Sequence, residues 1–169
     1  MFVDEGLYEN VETTENKAEA LINLYKEKLE LLQKCQLESE EERDEHIKDC
    51  YIKIRDLNME EYGEADKNTL KALRNLVILL TRKKQVDEAL ENLEIVEKVE
   101  ANTFGNKSKQ LAKTYSLKAT LYLRTGDKKK AKIYFSRAEE IYKELGDDVN
   151  AKKTHEKIET VNKELYIKG

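Results

Sequence analysis

The side chains best suited to binding a metal cluster in one short stretch. His46 and Cys50 stand four residues apart, and Cys35 lies near the end of the segment before them. One imidazole and two thiolates are three zinc ligands, and a carboxylate such as Asp49 would have to be the fourth. Buried structural cysteines are far commoner than such sites, so the expectation is that these cysteines pack rather than ligate. Acid runs at Glu40-Glu41-Glu42 and Asp147-Asp148 could do general acid–base work. Each, however, opens a segment of helical periodicity, where negative charge opposes the helix dipole. The chain has only two histidines, His46 and His155, and none of the GxSxG, HExxH, GxxxxGK[ST] or GxGxxG patterns. These residues point to a protein that is not an enzyme, with no cofactor and no metal.

Composition narrows the class further. With 31 basic and 35 acidic residues the net charge is −4, which argues against binding nucleic acid through its phosphates. No run approaches the ~18 apolar residues of a membrane span, and MFVDEGLYEN is acidic where a signal peptide would be basic. Two cysteines fit a reducing compartment, so the expected location is cytoplasmic. Charged residues make up 39% of the chain and mean hydropathy is −0.80, a balance that suits stacked helices exposing much of their surface. Nine tyrosines and the absence of proline argue against disorder.

The elements that must position any site are helices. Residues 112–146 contain one complete helical hairpin. Tyr115, Ala119 and Tyr122 share a face, Thr125-Gly126-Asp127 makes a turn, and Ala131, Tyr134, Phe135, Ala138, Ile141, Tyr142 and Leu145 recur at amphipathic spacing. Ala119 and Ala131 are small enough to let the two backbones cross closely. Elsewhere the stripe Ala18, Leu21, Ile22, Tyr25, Leu29, Leu32 predicts a helix from near Thr14 to near Leu37. Ser39 and Glu42 form a capping box, and Ile47, Cys50, Tyr51, Ile54 and Leu57 follow it. A third helix runs from Asn68 to Arg82 and includes LVILL at 76–80, apolar nearly all round; a fourth carries Val86, Ala89, Leu90, Leu93 and Val96. Ala89 and Ala131 are 42 residues apart, as are Gly63 and Gly105, so two independent markers return one period.

The hairpin resembles a tetratricopeptide repeat (TPR), which has an aromatic, a small residue and Tyr on its first helix, Gly-Asp at the turn, and Ala, Phe and Ala on the second. A 42-residue period with Gly at the joint is similar to the repeats of kinesin light chain-type adaptors. The match is clearest over 66–146 and weaker over 16–62. Departures include Lys118 where the family usually has Leu, and Leu80 at the place Tyr122 holds in the next repeat. The resemblance implies an all-α, TPR-like right-handed α-solenoid of about three hairpins plus a C-terminal capping helix. Its segments would be an acidic tail (1–14), a degenerate first hairpin (15–62), two repeats (63–104 and 105–146) and the cap (147–169), whose outer face is Lys and Glu.

In this family the first helices of successive repeats line a concave surface across which peptides lie. The residues that would face it are Lys71, Arg74, Asn75 and Ile78 on one helix and Lys113, Ser116, Thr120 and Leu123 on the next. This set partly resembles the carboxylate clamp of chaperone-binding members, but Leu117 stands where a clamp needs a polar side chain. Stacking would also align a basic edge of Arg82, Lys83, Lys84, Arg124, Lys128, Lys129 and Lys130, opposite acidic joints. The expected function is non-enzymatic capture of a protein partner, an acidic peptide or helix, with no nucleic acid and no membrane. The alternative is a structural subunit of a large cytoskeletal or ciliary assembly.

Overall fold

The computed structural model describes residues 6–34 and 39–166. Over these residues the chain is all-α, with no strand. The helices are α1 (Gly6–Lys34), α2 (Glu40–Tyr62), α3 (Lys67–Arg82), α4 (Val86–Phe104), α5 (Lys109–Arg124), α6 (Lys128–Glu144) and α7 (Asp148–Tyr166). Among the described residues no helix is long and apolar enough to cross a membrane. The chain divides into two compact units, residues 1–79 and 80–169.

In the first unit α1 packs on α2. The helix α1 begins at Gly6, so part of the stretch read from sequence as an acidic tail is helical. It ends at Lys34, short of the expected Leu37, and Leu37 and Cys35 lie outside the described residues. The capping box opens α2: Ser39 Oγ accepts from the Glu42 N–H at 3.2 Å and Glu42 Oε2 accepts from the Ser39 N–H at 3.3 Å. Ile47, Cys50 and Ile54 are buried, whereas Tyr51 and Leu57 of the same stripe are half-buried. The LVILL run buries Leu76, Val77, Leu79 and Leu80 but leaves Ile78 62% exposed, so α3 is not enclosed all round.

The second unit contains the hairpin α5–α6, with α4 packed on α5 and α7 on α6. Asp127 caps α6 by accepting the Lys130 N–H at 3.0 Å, and Gly126 before it takes φ +82°, a region that costs a residue with Cβ strain. Ala119, Ala131 and Ala138 are wholly buried, and Phe135 fills the space beside them with Ile158 and Val161 of α7. The stripe stops before Leu145, which follows the last helical residue and is half exposed. Ala131→Leu should therefore overpack the crossing and cost about 1–3 kcal/mol in urea unfolding, while Lys129→Leu, on the exposed face, stays near wild type. Equal effects would contradict the packing register.

Side-chain caps repeat along the chain. Asp66 Oδ1 accepts the Asn68 N–H at 2.7 Å before the second turn of α3 forms, and Ser108 Oγ accepts the Leu111 N–H at 3.2 Å at the start of α5. At α7 the cap is Asp147, whose Oδ1 accepts the Asn150 N–H at 3.2 Å while Oδ2 pairs with Lys109 Nζ at 2.8 Å. The Lys109 hydrogen bond, then those from Asn150, lower the Asp147 carboxyl from 3.8 to about 2. A depressed carboxyl stabilises the fold above its ordinary value and loses that contribution as pH falls through the depressed one. Asp147→Asn should thus flatten the acid side of the pH–stability profile between about pH 4 and 2. A thermal-melt series that keeps its full slope there would exclude the role.

Candidate functional site

Of the eight residues proposed for a partner-binding face, four line a groove, two in each unit. In the first unit, Lys71 and Asn75 line a groove of about 280 Å³ between α1, α2 and α3, floored by Leu29, Ile54 and Ala72. Asn58, only 1% exposed, also lines it and donates Nδ2 to the Ile54 carbonyl. Arg74 is half-buried and engaged within the chain, and neither it nor Ile78 lines this groove.

In the second unit, Lys113 and Ser116 of α5 form one wall of a groove of about 460 Å³. The other wall is α7, through Asn150, Lys153, Thr154, Glu156, Lys157 and Thr160, with Tyr142 of α6 between. Burial pushes the Tyr142 hydroxyl up, against a hydrogen bond to Ser116 that draws it down. Three lysines thus share one groove with a single carboxylate, Glu156, and none of the three is ion-paired among the described residues. Lys157 extends across the Phe135 ring, its ammonium 5.4 Å from the centroid. The hydroxyls of Thr154 and Thr160 donate back to carbonyls one turn earlier in α7, at 2.8 and 2.9 Å. Their oxygen lone pairs therefore remain to accept an N–H from a ligand. Of the other α5 candidates, Thr120 donates to the Ser116 carbonyl at 2.9 Å, and Leu123 packs against the Ala119, Phe135, Ile158 and Val161 core.

What the sequence reading missed is the contribution of α7. The terminal helix itself was expected, but its residues were not read as part of a groove, and they supply most of this one. The signal was present in the caps: Asp147 follows Ser108 by 39 residues where Ser108 follows Asp66 by 42, so α7 begins as a further first helix in a slightly shortened frame.

The basic edge is largely occupied by the fold itself. Arg124 donates Nη1 to the Thr81 carbonyl at 2.7 Å, closing the last turn of α3. Lys128 pairs with Glu164 at 2.8 Å, and Lys130 reaches the cap residue Asp127 at 3.4 Å while lying over the Tyr122 ring. Arg82 and Lys83 have partners of their own. Lys84 takes φ +62° in the turn to α4.

Lys118, the departure from the family pattern, is 2% exposed. Its ammonium is paired with Glu97 Oε2 of α4 at 2.5 Å and lies 4.7 Å from the Tyr134 ring centre. Burial lowers the tendency of Lys118 to be charged, but the hydrogen bond and charge of Glu97 outweigh it and hold its pKa above the usual lysine value. Thr114 donates to the fully buried Glu100 at 2.7 Å, so α4 and α5 are joined by one buried and one part-buried polar contact.

For the metal reading, His46 and Cys50 lie on α2, Cys50 is 1% exposed, and burial pushes its thiol up. Among the described residues no three His, Cys, Asp or Glu side chains gather as metal ligands would; Cys35 lies outside them.

A family model described as tetratricopeptide repeat matches residues 68–144. No curated protein matches the sequence. Among solved structures, BtubC (BKLC) from P. vanneervenii is similar over 93% of this chain and 78% of its own, at 14% identity and a TM-score of 0.55. The nearly identical TPR-like repeats of a kinesin light chain from Podosopora anserina are similar over 90% of each chain, at 13% identity and a TM-score of 0.53. At such identities the likeness is one of fold. Residues 68–144 thus match the tetratricopeptide-repeat model, and the chain has the TPR-like helical-repeat fold of these solved structures.

Proposed function

We propose that this chain is a cytoplasmic interaction module that holds an acidic peptide or helix of a partner protein in the groove between α5 and α7. The observation that carries the reading is the convergence of Lys113, Lys153 and Lys157 on one groove with no ion-pair partner among them. Unpaired cations on two rigid helices attract a ligand of opposite charge, and they mainly set its association rate and the choice of partner. Ser116, Thr154 and Thr160 add hydroxyls that can hydrogen-bond an extended backbone. Lys71 and Asn75 offer a second, smaller surface of the same character in the first unit.

The structural-subunit reading would place the contact on the basic edge. Arg124, Lys128 and Lys130 there are tied to Thr81, Glu164 and Asp127, and breaking those contacts to bind a partner costs what they contribute to the fold. Selection of a displayed random peptide library on the full chain tests the choice. Enriched sequences should be rich in Asp and Glu, and the selected peptide should shift the amide resonances of Lys113, Ser116, Asn150 and Lys153. Shifts confined to residues 82–84 and 128–130 would move the site to the edge.

A further inference from the structure

The helix α1 carries a second apolar stripe that the described chain leaves largely exposed. Its inward stripe is Ile22, buried, with Tyr25, Leu29 and Leu32 half-buried toward α2. Beside it, Leu21, Leu24 and Leu31 are 37%, 58% and 70% exposed. With Lys28 they stand at i, i+3, i+7 and i+10, the seam spacing of a helix that pairs with another helix. A depression of about 430 Å³ lies along this seam, bounded by Lys28, Leu31, Leu32 and Lys34. Scattered single leucines on a surface need no explanation, but three on one seam with a hollow at its C-terminal end do.

We propose that this seam pairs with the same seam of a second copy of the chain, antiparallel, forming a two-fold dimer. Lys28 decides the direction. A parallel pair would set Lys28 against Lys28 of the second copy at the centre of the seam, where like charges repel. An antiparallel pair centred near Lys26 sets Leu21 against Leu31 and Leu24 against Lys28, whose aliphatic stem covers the leucine while its ammonium reaches solvent. The flanking charge is self-complementary, since Glu19, Glu27 and Glu30 balance Lys26, Lys28 and Lys34 over residues 18–34. A copy of α7 is a poor alternative partner, because the surface it turns to solvent carries Lys152, Lys153, Glu156, Lys157 and Glu159. Pairing like with like also closes the assembly, whereas head-to-tail contacts do not stop at two.

Sedimentation velocity on the full chain over a concentration series tests this. The wild type should pass from monomer to dimer as concentration rises. Leu24→Glu with Leu31→Glu should remain monomeric with unchanged far-ultraviolet circular dichroism, and Val149→Glu, at an equally exposed apolar position, should dimerise like wild type. Lys28→Leu removes the one charge in the seam and should tighten the dimer about tenfold, a readout that does not depend on how the glutamate variant folds. A benzoylphenylalanine at position 31 should crosslink between chains near residue 21. A wild type and a Lys28→Leu variant that both stay monomeric would overturn the proposal in favour of a different partner helix. A dimer that survives both glutamates, or a crosslink from position 31 to 31, would overturn the seam or its direction.

Discussion

Glu97→Gln should destabilise the protein by about 3 kcal/mol, far more than a substitution at a half-exposed helix position usually costs. The amide keeps the shape of the side chain and removes only the charge. What it leaves behind is the Lys118 ammonium, 2% exposed, with the Tyr134 face as its remaining stabilising neighbour. An uncompensated buried charge is the costly case, whereas replacing both partners by apolar residues removes the burial penalty along with the attraction. Lys118→Leu with Glu97→Leu should accordingly lie within about 1 kcal/mol of wild type, as the Leu usual at this place in the family suggests. The pH dependence separates charge from packing. In the wild type, Lys118 is held above 10.5, so its contribution is complete below that value and is lost as pH rises through the raised one. In Glu97→Gln the opposing charge is gone, and burial, only partly offset by Tyr134 and the amide oxygen, disfavours the charged form of Lys118, so the penalty shrinks as pH rises. The stability gap between the two proteins should therefore narrow above about pH 10 in urea titrations. A gap that stays constant with pH would mean that Glu97 acts through packing and not through its charge.

Much of the hairpin 112–146 was legible because its signals are local. Gly126-Asp127 makes a turn through one side-chain cap, and Ala119, Ala131, Phe135 and Ala138 follow helical spacing. The capping box at Ser39 and the cap at Asp147 were legible for the same reason. Lys118 was not, because spacing alone assigns a lysine to solvent, and only the carboxylate that α4 brings from 21 residues away makes its burial tolerable. Its departure from the family pattern was the visible trace of that pair. The groove was half legible. Lys113 and Ser116 lie on the face opposite the buried stripe of α5, but their partners on α7 look like any solvated helix surface until the 39-residue cap spacing places them across the groove. The seam on α1 was merged with its neighbour, since Leu21 was read into the same stripe as Ile22, and one residue of rotation, about 100°, separates the two faces.

The anchoring of α5 by Lys118 bears on binding, because the same helix presents Lys113 and Ser116 to the groove. Lys113→Glu with Lys153→Glu should weaken capture of an acidic peptide by about 100-fold, since each change replaces an attraction with a repulsion at a site flanked by low-dielectric walls. The fold should be little affected: Lys113 and Lys153 are exposed and unpaired, so the melting temperature should move by no more than a few degrees. Most of the loss should appear in the association rate. It should shrink as salt is raised, because screening over about 8 Å at physiological ionic strength already weakens the wild-type attraction. Lys83→Glu with Lys129→Glu changes net charge by the same amount on the basic edge, so it corrects for long-range field and should weaken capture only severalfold. The informative measurement is the ratio of the two losses for one selected peptide at two salt concentrations. A groove pair that binds like wild type while the edge pair does not would relocate the docking surface to the turns before α4 and α6. Equal losses would mean that the peptide responds to net charge alone and that neither surface is a site.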